Sequence, residues 1–392
     1  MSEGPRTHST VNAGRSLRSI VLLGLLGLGG LVFLLWPKAP AVEHGQIMGG
    51  GATWELHAED GEVAFRGPTM GTRYSVILNL AEVPEARREA AELDAVLAEI
   101  EAELSAVNLE MSTYLEHSEL SRFNAGPAGV DVPASAHLLE VVGMAREVTA
   151  RSGGAFDITV GPLVDAWGFG PPGPPGQGGG EAVHSEPPAA ELEILRARVG
   201  DDKLSIDLEA GTLRKSVPGL RVDLSAIAKG HGCDRVADVL EARGFDAYMV
   251  EIGGEIRVRG SNPDGESWRV GIERPSADAQ GARALHSILP ITDAAMATSG
   301  DYRNYWEKDG VRYSHTVDPR TGRPIAHTLA SVTVVHPDSA ALADAWATAL
   351  NVLGPDEGLA LATREGLAAY FLVRTPDGYE TRSTPTFEAL TP

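Results

Sequence analysis

Residues 248–260 read YMVEIGGEIRVRG. Tyr248–Ile252 and Glu255–Arg259 are short runs rich in apolar and β-branched side chains. The two glycines between them permit the backbone angles of a two-residue hairpin turn. An antiparallel pair is therefore expected here, and the same grammar recurs on both sides of it. Upstream, Val63–Phe65 and Thr72–Leu80 alternate like strands around Gly67-Pro68, and Leu204–Leu208, Thr212–Lys215 and Arg221–Leu224 are strand-like. Downstream come Trp268–Glu273, Leu285–Ile291, Ala295–Ser299 and Ser331–His336. Four helices are expected between them. Residues 85–108 carry Leu93, Leu97, Ile100, Leu104 and Val107 at three-to-four spacing. Ser135 opens a second helix that runs to Arg151 and stops at Gly153-Gly154. Residues 225–243 and 339–353 complete the set. Hairpin-linked strands with interspersed helices predict an α+β domain of mixed or antiparallel sheets packed by helices. No internal repeat is visible.

The chain has 392 residues, of which 43% are hydrophobic and 22% charged, which excludes wholesale disorder. Thirty-three basic against 54 acidic residues give a formal charge of −21, so the footprint of a nucleic-acid binder is missing. A phosphate ligand would need a local device, such as a helix N-terminus or a metal ion. The single cysteine, Cys233, excludes an intrachain disulfide and a cysteine-built zinc cluster. With none following the N-terminal apolar run, lipidation there is excluded too. That run, Ile20 to Trp36, is uncharged and would extend about 25 Å as a helix, close to a bilayer core of about 30 Å. Arg6, Arg15 and Arg18 precede it, which would leave residues 1–18 in the cytoplasm and export the rest. Residues 19–37 are thus expected to be a membrane anchor, with a cleaved signal ending near Ala39-Pro40-Ala41 as the rival. Residues 38–61 read as a linker and 62–392 as one domain. Within it, residues 168–190 begin GFGPPGPPGQGGGE, whose Pro and Gly content defeats both helix and strand, so a surface insertion is expected.

Four segments have the residue types for chemistry, and each also has an ordinary structural reading. In VDLSAIAKG (222–230), a strand would end at Asp223 and Ser225 would cap a helix. The free N–H groups of that helix, with Lys229 one turn in, suit a phosphate; the ordinary alternative is a strand–helix junction with a surface Asp223–Lys229 ion pair. In ADAWAT (343–348), Asp344 and Thr348 fall on one helix face, a carboxylate and a hydroxyl suited to Mg2+; the alternative is a polar stripe. In SHTVDPRTG (314–322), His315 precedes a strong turn, and an unperturbed imidazole titrates near neutral pH, as a general base requires; the alternative is a turn or core histidine. GGAFDITVGPLVDAWGFG (153–170) puts Ala155, Phe156 and Asp157 beside two glycines, either a loop approaching a flat ligand or a helix end entering a core strand.

Together with TMGTRYSV, MSTYLEHSELSRFN, VEIGGEIRVRG, ATSGDYRNYW and ALADAWATALNVLG, these segments follow one another in an order that resembles the ApbE family, the FAD:protein FMN transferases, over about residues 67–353. The resemblance implies an exported, Mg2+-dependent transferase. It would take FAD, release AMP and leave FMN on a Ser or Thr of a flavoprotein, such as a subunit of a redox-driven ion pump. By motif position, Met70, Tyr114, Ala155, Phe156, Asp157, Asp223, Lys229 and Val317 would contact FAD. The Ala226 carbonyl, Asp344 and Thr348 would hold Mg2+, with Lys229 and His315 as catalytic groups and Asp318 orienting the imidazole or shaping the turn. Ala347 stands where some members carry an acidic ligand. His231 and Cys233 depart from the family's usual residues and read as packing. Water as acceptor would make the same site an FAD pyrophosphatase; a non-catalytic flavin-binding protein is the third reading.

Overall fold

A computed structural model describes residues 43–46, 51–57, 61–81, 83, 88–170, 185–274, 285–301, 305–308 and 310–391. In chain order the first half comprises β1 (Glu43–Gln46), β2 (Thr53–His57), β3 (Glu62–Thr69), β4 (Thr72–Asn79), α1 (Ala90–Met111), α2 (Glu119–Ala125), β5 (Val132–Pro133), α3 (Ala136–Arg151), α4 (Gly161–Ala166), α5 (Ala189–Arg196), β6 (Leu204–Asp207), β7 (Thr212–Lys215) and α6 (Ala228–Ala242). The second comprises β8 (Tyr248–Ile252), β9 (Glu255–Arg259), β10 (Trp268–Glu273), β11 (Leu285–Ile291), β12 (Ala294–Gly300), β13 (Tyr305–Lys308), β14 (Val311–Ser314), β15 (Val317–Asp318), β16 (Arg323–Pro324), β17 (Leu329–His336), α7 (Ala340–Arg364), β18 (Ala368–Thr375), β19 (Gly378–Ser383) and α8 (Pro385–Glu388).

The 248–260 hairpin lies inside a ten-stranded sheet of order β1-β2-β3-β4-β8-β9-β12-β17-β18-β19, in which every neighbouring pair is antiparallel. Ile252 pairs with Glu255, so Gly253 and Gly254 form the two-residue turn, both at positive φ. One sheet face is covered by helices. Leu93, Val96, Leu97, Ile100 and Leu104 of α1 pack with Val236 and Leu240 of α6 on β3, β4 and β8. Trp346 and Leu350 of α7 pack with α3 on β12, β17 and β18. Each such side chain contributes about 1.5–3 kcal/mol on burial. The opposite face is covered by the β10–β11 hairpin, through Trp268, Val270 and Ile272, and by Phe387 of α8.

Several expectations need correction. Residues 38–61 are not simply a linker, because β1 and β2 lie within them. In TWELH the buried Trp54 and Leu56 alternate with half-buried residues, and Trp54 Nε1 donates to Asp94 of α1 at 2.7 Å. Arg221–Leu224 is not a strand; Arg221 makes one isolated parallel bridge to Val160. The following helix begins at Ala228 rather than at Ser225. Asp223 is the reason: its Oδ1 accepts from both the N–H and the hydroxyl of Ser225, folding a turn ahead of the helix. Residues 19–37 and most of the Pro/Gly-rich stretch lie outside the described residues. Among the described residues no helix is long and apolar enough to cross a membrane. His231 and Cys233 are buried in α6, as packing residues would be.

Helices α6 and α7 cross closely, and two features fix them. Asp234 of α6 accepts from the Ser339 hydroxyl at 2.8 Å and from the N–H groups of Ala340 and Ala341 at 2.9 and 3.0 Å, placing a carboxylate on the N-terminus of α7. At the crossing stands Gly230. A Cβ there would overlap the Ala340 carbonyl and lie 2.7 Å from Ala341 Cα. Glycine to alanine inside a helix normally gains about 1 kcal/mol. Here we expect Gly230→Ala to lose about 3 kcal/mol by overpacking. Urea unfolding measures it, and an unchanged or raised midpoint refutes the crossing as described.

Candidate active site

Where α6 and α7 meet the ends of β9 and β12 there is a cavity of about 400 Å3. Its floor is polar. Lys229 projects from the first turn of α6, and its Nζ lies 2.8 Å from Glu255 Oε1 and 3.6 Å from Asp344 Oδ2. Glu255 is the first residue of β9, directly after the Gly253-Gly254 turn. Gly253 stands at φ 62°, and a Cβ on it would lie 2.9 Å from Thr72 Cγ2, so the turn requires glycine there. Asp344 and Thr348 stand one turn apart on α7, and both line the cavity.

The backbone around Ala226 departs from helix geometry. The Gly230 N–H, which would bond the Ala226 carbonyl in a regular helix, instead acts on the Asp344 carboxylate and favours its charged form. The N–H groups of Ile227 and Ala228 go to Leu224, and that of His231 goes to Ile227. Among the described residues no backbone N–H is bonded to the Ala226 carbonyl. Asp344 Oδ2 and Glu255 Oε2 are buried without a hydrogen-bond partner. A carboxylate oxygen, a carbonyl left outside the ladder and a hydroxyl are hard oxygen donors, so the set fits Mg2+. It is not a cluster of protein anions: among the described residues no three His, Cys, Asp or Glu side chains converge as metal ligands. Ala347 is fully buried in α7 and supplies no side-chain oxygen.

The electrostatics follow from burial. Desolvation raises the Asp344 and Glu255 pKa values, partly offset by the Lys229 charge. Burial opposes charge on Lys229, but Asp344 and Glu255 outweigh it, and its pKa rises. Glu251, behind the turn, accepts from the Gly254 N–H at 2.7 Å, and burial pushes its carboxyl up to about 8.

The walls hold most of the other expected residues. Ala155, Phe156 and Asp157 line one side, and Asp157 is pinned by the N–H and hydroxyl of Thr159 at 2.8 and 2.7 Å. Asp223, Val317 and the largely exposed Tyr114 also line the cavity. His315 faces it from the segment after β14, with Phe169 edge-on at 6.4 Å between ring centroids. That segment rests on an aromatic stack: Trp306 on Tyr313 at 4.0 Å, and Trp167 on Tyr313 at 5.7 Å. Asp318 is engaged by Arg320, at 3.0 Å from Nε and 2.9 Å from Nη2, so it shapes the turn. Met70 does not line the cavity. It occupies the β3–β4 turn at φ 46° and packs between the two helix-side cores. Glu255 was not singled out from sequence. The available signal was a carboxylate immediately after a glycine pair, on the strand face opposite the buried Ile256 and Val258.

The chain is similar to proteins of one family. A profile of the ApbE family matches residues 70–371. The chain is 44% identical over 328 residues to a protein of Vibrio cholerae named FAD:protein FMN transferase, covering 83% of this chain and 92% of that one. It is 42% identical over 333 residues to a Haemophilus influenzae protein of the same name, covering 84% and 91%. Among solved structures, the flavin transferase ApbE of Vibrio cholerae superposes with a TM-score of 0.73 at 42% identity, covering 84% of this chain and 99% of that one. The apo flavinyl transferase ApbE of Pseudomonas stutzeri gives 0.72 at 43%, covering 83% and 96%.

Burial of Glu251 has a measurable consequence. Its folded pKa lies above the ordinary 4.5, so its contribution to stability is complete below pH 4.5 and is lost as pH rises through 8. Glu251→Gln should therefore be increasingly more stable than the natural chain between pH 5 and 8, by on the order of a few kcal/mol at the upper end. Urea unfolding in chelator-treated buffer reads this. A difference that stays constant across that range is inconsistent with a buried, uncompensated carboxyl.

Proposed function

The chain belongs to the ApbE family, and on that premise we propose that it is an FAD:protein FMN transferase acting on a Ser or Thr hydroxyl of a flavoprotein. The observation that carries the reading is the meeting of Lys229, Asp344, Thr348 and His315 around one cavity, from two helices and a loop far apart in sequence. The hydroxyl oxygen attacks the phosphorus on the FMN side of the diphosphate. A new phosphoester bond forms, the bond to the AMP phosphate breaks, and the hydroxyl proton leaves. His315 stands at the cavity wall and takes or orients that proton. Lys229 supplies a fixed positive charge that burial beside two carboxylates keeps in place. The Ala226 carbonyl, Asp344 and Thr348 would hold Mg2+, which supplies charge against the diphosphate and the departing phosphate. Ala155, Phe156, Asp157, Asp223, Tyr114 and Val317 form the flavin-nucleotide walls, and Met70 supports them through packing. The apolar run before residue 37 favours a membrane-anchored chain with this domain on the extracytoplasmic side, near exported acceptors.

The decisive experiment is coexpression with a candidate exported flavoprotein followed by mass spectrometry. We expect an FMN-sized adduct on one Ser or Thr. Rapid release of FMN and AMP from FAD and Mg2+ without acceptor would instead mark a pyrophosphatase, and FAD retained without AMP a binding protein. In the transfer assay at saturating Mg2+, Asp344→Ala should cost about 10³-fold or more and His315→Ala roughly 10²-fold. Equal or reversed losses contradict a mechanism dominated by charge stabilisation.

A further inference from the structure

Glu255 has no role in the chemistry described so far, yet it is one of the most completely buried charged side chains in the molecule, at 4% exposure. Its Oε1 takes Lys229 at 2.8 Å, its Oε2 has no hydrogen-bond partner, and its own backbone carbonyl accepts from the buried Cys233 thiol at 3.2 Å. Both ends of the residue are thus fixed against α6. The Lys229 ammonium has a second carboxylate within reach, Asp344, but stands 3.6 Å from its Oδ2, beyond hydrogen-bond length. An ammonium and a divalent cation compete for the same carboxylate lone pairs. If Lys229 closed onto Asp344, it would cover the oxygen that the cation site needs.

We propose that Glu255 is a positioning residue that tethers Lys229 away from Asp344 and so keeps the Asp344–Thr348–Ala226 donor set open to a divalent cation. This rests on the reading of that donor set as a cation site. The tether is geometric rather than a matter of net charge. The Gly253-Gly254 turn fixes where β9 begins, and the glutamate length spans the distance from there to the Lys229 ammonium. Removing the carboxylate leaves Lys229 with one buried partner, Asp344. A charge-assisted hydrogen bond is worth enough to shift cation affinity by about tenfold or more.

The test uses the purified full chain, with Mn2+ as the probe. Free Mn2+ is counted by electron paramagnetic resonance during titration of the natural chain, Glu255→Gln and Glu255→Asp, each also crystallised in chelator. Glu255→Gln should bind Mn2+ at least about tenfold more weakly, and Lys229 should lie in hydrogen-bond contact with Asp344 in its metal-free crystal structure. Glu255→Asp keeps the charge but is one methylene shorter, so it should lose affinity to a similar degree; it also carries the test if the glutamine chain does not fold. Aspartate binding Mn2+ within about twofold of the natural chain would overturn the tether, as would Lys229 staying off Asp344 in the metal-free variant. In either case the cation site itself would stand. If the natural chain takes up no Mn2+ at millimolar concentration, the cation reading falls and the tether with it.

Discussion

The Ala226 carbonyl has no backbone donor, the Gly230 N–H that would serve it in a regular helix favours the charged Asp344 carboxylate, and much of the site follows from that exchange. The backbone of α6 thereby offsets part of the desolvation of a buried carboxylate on α7. In the proposed reading, the carbonyl left without a donor would be an oxygen ligand for the cation. The exchange is possible only where the two helices nearly touch, and they nearly touch only because residue 230 has no side chain. Asp234, one turn further along α6, caps α7 and prevents it from sliding away. Close packing, a cap and a displaced backbone bond are thus one device.

Charge balance at the cavity floor is strained in a chain with a formal charge of −21. Asp344, Glu255 and Glu251 lie in or beside the floor, and Lys229 is the cation that meets two of them. Burial pushes all three carboxyls toward the protonated form, since desolvation is the largest influence on each. The lysine moderates this for Glu255 and Asp344 but cannot fully satisfy both. Two unpartnered carboxylate oxygens remain. Such atoms are costly to bury, and a dinucleotide diphosphate would add negative charge to the same space. In the proposed reading, a divalent cation held at Asp344, Thr348 and the Ala226 carbonyl would supply positive charge against both.

Much of this was readable from the sequence, and the parts that were not share a cause. The helices at 85–108, 135–151 and 339–353 follow from apolar spacing, and Gly354-Pro355, where α7 leaves helical geometry at φ 77°, marks the end of the third. The 248–260 hairpin follows from its glycine pair. Asp344, Thr348, Lys229 and His315 were identified by residue type and local pattern, and they do share a cavity. What pattern could not supply was competition between side chain and backbone. Asp223 captures Ser225 and delays the start of α6, so a residue suited to capping is used one turn earlier in another structure. TWELH falls in a weakly patterned stretch that reads as a linker, yet Trp54 has a partner in α1 forty residues away. Glu255 reads as an ordinary strand residue until the lysine opposite it is in view.

The wall that carries His315 depends on a different kind of order. The segment has little regular structure of its own, between a four-residue strand and a two-residue one. Its position is set from outside. Trp306 and Tyr313 stack at 4.0 Å, Trp167 closes the stack from α4's C-terminal end, and the Trp167 indole donates to the Gly322 carbonyl at 2.9 Å. On the far side of the histidine, Asp318 holds Arg320 and accepts the N–H groups of Thr321 and Gly322 at its own carbonyl. The indole therefore ties the start of the turn's return strand to the same aromatic block that supports the approach strand. A loop clamped at both ends by one rigid body can present an imidazole at a fixed position while leaving the cavity mouth open. Such a wall suits the proposed transfer to a large protein acceptor, in which the donor nucleotide would sit at the helix crossing and the hydroxyl would enter along the side His315 faces.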